Sequence, residues 1–282
     1  MIANTQPQPT QVRRPGQGDD FIRLQDLLYL CLAHWRWFLL SLAVTLGIAI
    51  YYILSTPNVY QRTASLMIKE DSKSQSIGSD VASMFSDMGL TGGKSNVNNE
   101  LIAIQSPAVL LETGKQLKLD VNYSVDGSFH PVSLYGKDLP VTVQFYGLTD
   151  EQSVDVDLQL ELGNRLTITH ISGVDKQGEA IDSNDEIHGR LGQTLHTPVC
   201  NIKVEAAAAY ASYLRGGDAK PLHVSRTNLY AMTDHIKASL TASISEEKAT
   251  VIDLTYKDQL TQRAEDVLNT IIAVYRKNWM DD

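Results

Sequence analysis

The residues closest to a chemical motif are Gly89, Gly92, Gly93, Lys94 and Ser95. A phosphate-binding loop needs G-x-x-x-x-G-K-[ST], so that backbone amides cradle the phosphates and the lysine reaches the terminal ones. Counting back from Gly93, the first glycine belongs at position 88, which is Met88. The spacing misses by one residue, and no apolar strand runs into the segment, so it reads as an exposed loop. The histidines, His34, His130, His170, His188, His196, His223 and His235, contain no i, i+2 or i, i+4 pair, and no cysteine lies near one to complete a zinc site. No G-x-S-x-G elbow offers a serine nucleophile. Asp155 and Asp157 share one face of an alternating segment, where paired carboxylates could do acid–base work, but that face is polar and its carboxylates are expected to be solvated. Asp182, Asn184 and Glu186 carry calcium-loop spacing, yet Ile187 stands where the loop needs glycine. No catalytic, cofactor-binding or metal residue is assigned.

The elements around these residues explain why so little chemistry is present. The stretch from Trp37 to Leu54 holds no charge. As a helix it covers about 27 Å at ~1.5 Å per residue, close to the ~30 Å core of a bilayer. Trp35 and Trp37 lie at one end and Tyr51 and Tyr52 at the other, where amphipathic rings suit the headgroup layers. Leu39, Leu40 and Leu46 supply lipid-facing bulk, and Pro57 closes the helix. A membrane-spanning anchor is expected over 37–54. A buried core helix fits poorly because the run is apolar all round. A cleaved signal peptide fits poorly because Asp19, Asp20 and Asp26 precede the run and no A-x-A site comes after it.

The chain has 282 residues, 43% hydrophobic and 20% charged, with a formal charge of −9. The part beyond the span is long enough for a folded domain with a real core. The acidic balance argues against nucleic acid, whose phosphates need clustered cations. Cys31 and Cys200 flank the span and cannot pair within one chain. Arg13, Arg14, Arg23 and Arg36 before the span, against Arg62, Lys69 and Lys73 after it, favour a cytoplasmic N-terminus and an external main domain.

In order, residues 1–18 read as a disordered cytoplasmic tail rich in Gln, Pro and Thr. Phe21, Leu24, Leu27, Leu28 and Cys31 space out an amphipathic cytoplasmic helix over 19–36. Ala64, Leu66 and Ile68 alternate as a strand, followed by a polar loop over 71–99 in which Val81, Met84, Phe85, Met88 and Leu90 are spaced for a short helix. A short helix is expected over 99–105, and Ser106 before Pro107 starts the next. Residues 120–205 are strand-rich. Val141, Val143 and Phe145 alternate, as do Val154, Val156, Leu158, Leu160 and Leu162. Gly163 and Asn164 signal a two-residue hairpin into Leu166–Ile171, residues 173–192 read as turn, and Cys200, Ile202 and Val204 mark a further strand. Leu229, Met232, Ile236 and Leu240 predict a helix, 250–256 a strand, and Ala264, Val267, Leu268, Ile271, Val274 and Tyr275 a final helix. The fold class is α/β (α+β): one N-terminal transmembrane helix, then a mixed-sheet domain over 57–282 with packed helices and a β-rich central insertion.

With that order laid out, the chain resembles the polysaccharide chain-length determinant family, the Wzz-like polysaccharide co-polymerases. It is most similar to the N-terminal membrane and periplasmic part of the (Wzc-like) tyrosine autokinases of capsule and exopolysaccharide export. The passages that carry the resemblance are 56–68, with Pro57, Tyr60, Ala64 and Leu66; 98–119, with Ser106; 189–205; and 221–275, with the pair Asp258 and Gln259 before a helix carrying Ala264, Asn269 and Tyr275. The resemblance implies a bacterial inner-membrane protein, cytoplasmic at its N-terminus and periplasmic in its main domain. It implies a ring of identical subunits that regulates chain length beside the polymerase and growing glycan, with membrane lipid and an outer-membrane export protein as further partners. It implies no cofactor. The family usually continues into long helices and a second span, and the autokinase branch into a kinase domain; the sequence is expected to be a fragment or shortened product, so kinase activity is not carried onto these residues. Two other classes remain open from the residues: a membrane-anchored periplasmic solute sensor, and an anchored glycan-processing enzyme with paired carboxylates.

Overall fold

The computed structural model describes residues 34–68, 93–174, 178–215, 220–245 and 251–281. The tail over 1–18, most of the helix expected over 19–36, the short helix around Val81–Leu90 and the glycines of the near-match phosphate loop up to Gly92 fall outside them.

The first unit carries helix α1, Trp35–Ser55. It has 21 residues, an 18-residue stretch of mean hydropathy 2.1 and no buried side chain, so one N-terminal helix is long and apolar enough to cross a membrane. Near its middle the Thr45 hydroxyl is satisfied internally, Oγ1 donating to the Ser41 carbonyl at 3.0 Å. The helix begins two residues before the expected boundary, taking in Trp35 and Arg36, and ends two residues before Pro57.

The second unit, from Ser55 onward, contains two lobes with separate cores. In chain order its elements are β1 (Tyr60–Met67), α2 (Gly93–Ile104), α3 (Pro107–Leu117), β2 (Val121–Asp126), β3 (Pro131–Leu134), β4 (Val141–Tyr146), β5 (Val154–Glu161), β6 (Arg165–Val174), β7 (Ala180–Ser183), β8 (Ile187–Arg190), β9 (Thr194–His196) and β10 (Asn201–Ala206). They continue with α4 (Tyr210–Leu214), β11 (Leu222–Arg226), α5 (Leu229–Ser239), β12 (Leu240–Ile244), β13 (Val251–Asp258) and α6 (Thr261–Asp281).

The base lobe is a three-stranded sheet, β1-β13-β12, packed against α2, α3, α5 and α6. Ile252, Leu254 and Tyr256 alternate inward from β13, while Ala264, Val267, Leu268, Ile271 and Val274 form the buried stripe of α6. Ala64 and Leu66 of β1 pack half-buried against the same core. Ser106 caps α3, its hydroxyl accepting from Val109 N at 3.4 Å, with Pro107 at the first helical position. A Cβ on Gly114 would collide with Met232 of α5, so the glycine lets the two helices approach.

The second lobe is a β-sandwich. One sheet runs β3-β2-β11-β5-β6-β7, with β8 also on β6; the other runs β4-β10-β9. Val156, Leu158, Leu160, Leu166, Ile168, Ile202 and Val204 fill the space between them. Tyr123 on β2 joins the sheets by accepting from Val143 N of β4 at 2.9 Å.

Several expectations are corrected. All described strand pairs are antiparallel, so the sheets are not mixed. The expected loop over 71–99 gives way to α2 from Gly93, which absorbs the short helix expected at 99–105 and places Lys94 and Ser95 in its first turn. The β5–β6 hairpin pairs Glu161 with Arg165, so three residues connect the strands, and Leu162 sits in the turn 74% exposed. Gly163 and Asn164 both take positive φ there, which explains the glycine–asparagine pair. The expected turn over 173–192 contains β7 and β8, short edge strands whose alternation is too brief to register in sequence. Leu240 is the C-cap of α5 and the first residue of β12. The strand-rich part extends past 205, because β11 returns to lie between β2 and β5.

Candidate functional site

The chain passes between the lobes at 117–121 and 226–229, and these two crossings are tied together. Thr227 N donates to the Asp120 carbonyl at 2.8 Å, and Arg226 Nε lies 3.5 Å from the Asp120 carboxylate. Arg226 also donates to the Thr149 and Gln152 carbonyls, both at 3.0 Å. Asn228, next in line, caps α5 by accepting from Ala231 N at 2.7 Å. The β-sandwich is thus an insertion hung on two adjoining strands.

Beside this joint runs a groove between the lobes. One part, about 400 Å³, is floored by Leu119, Met232, Ile236 and Tyr256. A second, about 430 Å³, shares Asn122, His235, Asp258 and Arg263 with the first and opens past Ser133, Lys257 and Gln259. At its centre Asp258 is buried at the end of β13, where it caps the turn into α6 by accepting from Leu260 N at 2.8 Å. Arg263, in the first turn of α6, grips both carboxylate oxygens through Nε and Nη2, each at 2.8 Å. Its remaining Nη1 reaches Asn122 of β2 at 3.4 Å. Ser133 of β3 donates to Gln259 at 3.0 Å, and Tyr135 hydrogen-bonds Asp266 of α6. Burial, with the Asp266 charge and hydrogen bond, pushes the Tyr135 phenol up to about 12; burial and the Asp258 charge do the same for Tyr256. Both phenols are thereby held in the neutral form.

A second polar cluster lies on the outer face of the large sheet. His223 of β11 donates to Asp157 of β5 at 2.6 Å and faces Asp126 of β2 at 3.3 Å. Burial pulls its pKa down, but the hydrogen bonds and charges of Asp157 and Asp126 outweigh that, and the net shift is upward. Asp155 beside it is held above the usual carboxylate range by burial and by the Asp157 charge, against the opposing pull of His170. The expectation of solvated carboxylates holds for Asp155, which is exposed, and is corrected for Asp157, which is half-buried against His223. No group of three or more His, Cys, Asp or Glu side chains among the described residues has the geometry to hold a metal ion. Asp182 lies 3.6 Å from His170, and Asn184 shares a hydrogen bond with the same ring at 2.8 Å, so the calcium-like spacing serves to fix that histidine.

The singled-out residues fall into three places. Trp35, Trp37, Leu39, Leu40, Leu46, Tyr51 and Tyr52 are all exposed on α1, Trp37 at 71%. Pro57 is half-buried at the entry to the base lobe, Ala64 and Leu66 pack on its core, and Ser106 caps α3. Tyr275 on α6 hydrogen-bonds Glu100 on α2, and burial together with that carboxylate raises its pKa. Tyr60 and Asn269 are exposed. None of these lines the groove. Asn122, His235 and Arg263 were not signalled by sequence, since they are brought together from β2, α5 and α6; only Asp258 and Gln259 carried a signal, as a pair within the resemblance. No protein-family model matches the chain, and no curated protein matches it.

Proposed function

We propose that this chain is the membrane-anchored, extracytoplasmic part of a polysaccharide co-polymerase subunit, one that assembles with copies of itself beside a polymerase in a bacterial inner membrane and helps set the length of an exported glycan. The observation that carries the reading is the convergence of its scattered resemblances. Passages 56–68 and 98–119 and most of 221–275 come together as β1, α2, α3, α5, β12, β13 and α6 of one lobe. That lobe comes directly after a helix long and apolar enough to cross a membrane. In this role the base lobes pack head to tail, a heterologous arrangement that closes into a ring. Its output is geometry, and it requires no nucleophile of its own. The N-terminus is cytoplasmic and the two lobes periplasmic, with lipid around α1 and the growing glycan, polymerase and an outer-membrane export protein as partners.

The test is genetic. The gene is deleted in its host, the surface polysaccharide is extracted, and its length distribution is compared with that of strains complemented by the full reading frame or by residues 1–282. A shifted distribution, restored by the full frame, supports the reading. An unchanged distribution, with no second copy of the gene, removes it and favours a membrane-anchored solute sensor, for which the groove between the lobes is the natural ligand site.

A further inference from the structure

We propose that the groove between the base lobe and the β-sandwich is a glycan-binding site that takes one or two rings of a hydroxyl-rich saccharide. The inference deepens the co-polymerase reading and rests on it for the source of the ligand. Three properties of the groove select that chemistry. Its apolar side is half-buried Leu119 and Ala231, laid over the buried Met232, Ile236 and Tyr256 and suited to the C–H face of a sugar ring, while its walls carry amides, hydroxyls and an imidazole, from Asn122, Ser133, Gln259 and His235. Its volume, about 400 Å³, falls in the range of small-ligand pockets, roughly 300–1,000 Å³. Its buried charges cancel, because Arg263 is held bidentate by Asp258.

The same observations weigh against other ligands. A nucleotide or phosphate needs several uncommitted cations; here Arg263 is occupied and Lys257 is the remaining lysine or arginine of the lining. An extended peptide binds by adding a strand to an exposed sheet edge. Both neighbouring positions of β2 are taken by β3 and β11, and both of β13 by β1 and β12, while β3, the edge strand beside the groove, is four residues long and begins at Pro131, a blunted edge for pairing. What remains is a ligand recognised by side-chain hydrogen bonds over an apolar floor. Because the groove lies against the joint of Asp120 with Thr227, occupation also bears on how the lobes are held together.

The probe is a di- to tetrasaccharide fraction released by mild acid from the host's own surface polysaccharide. Binding to the full-length protein in detergent is tracked by saturation-transfer NMR. Ala238 is exposed on α5 and lines the groove, so Ala238→Trp fills the space from the solvent side with little threat to the core. Tyr230→Ala, on the same helix and outside the groove lining, is the control. Saturable binding by the native protein, weakened at least about tenfold (about 1.4 kcal/mol) by Ala238→Trp and by no more than twofold in the control, is the expected result. No saturable binding up to about 10 mM, or equal binding by Ala238→Trp with an unchanged circular-dichroism spectrum, overturns the proposal. The length distribution is read separately: length control without binding by the groove removes this site and leaves the co-polymerase reading, whereas groove binding with no effect of gene deletion on length keeps the site and removes that reading.

Discussion

Replacing Asp258 by alanine should unfold this protein more readily than any other single change to a polar residue of the groove. The side chains of Asp258 and Arg263 are 3% and 15% exposed, so the pair is largely withdrawn from water. The carboxylate accepts three hydrogen bonds, from Leu260 N, Arg263 Nε and Arg263 Nη2, all at 2.8 Å. Alanine removes all three and leaves a buried guanidinium with only the 3.4 Å contact to Asn122. Breaking one side of a buried ion pair costs about 3–5 kcal/mol, because the remaining charge has no compensation. At about 2–4 °C per kcal/mol for a domain of this size, Tm falls by about 6–20 °C. The assay is thermal unfolding of the detergent-solubilised chain by circular dichroism, run also on Arg263→Met and on the double variant. The double variant should recover part of the loss, since an apolar replacement of both partners removes the orphaned charge along with its partner. A loss below about 1 kcal/mol for Asp258→Ala, in the range of an exposed surface pair, would refute the argument that burial makes this pair matter. So would a double variant less stable than the sum of the two single changes.

The same structure sets three further outcomes. Ser106→Ala should cost about 1 kcal/mol through loss of the α3 cap, read as a lower urea midpoint with an unchanged slope. His223 has a net raised pKa, so its protonated form stabilises the fold; that contribution is complete below its ordinary value of 6.5 and is lost as pH rises through the higher folded value. Native Tm should therefore decline slightly above pH 6.5, a small effect because the side chain is 36% exposed, and His223→Gln should flatten that decline. Leu46→Arg places a charge near the middle of α1 at a cost of about 2.5–3.5 kcal/mol for a spanning helix; the variant should shift from the carbonate-resistant membrane fraction toward the extractable one, whereas equal retention would argue against α1 as a span.

Much of the fold is legible in the residues because local periodicity carries it. The apolar run of α1 needs no partner to be recognised, and its self-contained hydrogen bonding makes it a helix in lipid or out of it. The Ser106–Pro107 start of α3, the stripe from Ala264 to Val274 and the alternation of Val154 to Leu160 are short-range patterns set by the 3.6 and 2.0 repeats of helix and strand. The misreadings cluster where pattern and context part. Leu240 continues the helical spacing of α5 yet opens β12, because its amide closes the helix end while its carbon skeleton fills the base core. Leu162 continues the strand alternation yet lies exposed, because the hairpin needs it as a third connecting residue. The strands β7 and β8 are too short to alternate convincingly and exist because β6 offers them an edge.

The sequence by itself determined the membrane-length helix, the α+β class of the domain after it and the acidic charge that disfavours nucleic acid, since each rests on composition or on residues a few positions apart. The tertiary structure decided the groove. His235, Asp258 and Arg263 come from α5, β13 and α6 of the base lobe, and Asn122 of β2 meets them because the chain leaves that lobe at Asp120, builds the β-sandwich and returns beside its point of departure at Thr227. A site that joins Asn122 to residues more than a hundred positions later leaves no period or spacing linking them in the chain, because what aligns it is the packing of two cores and the strand pairing that joins them.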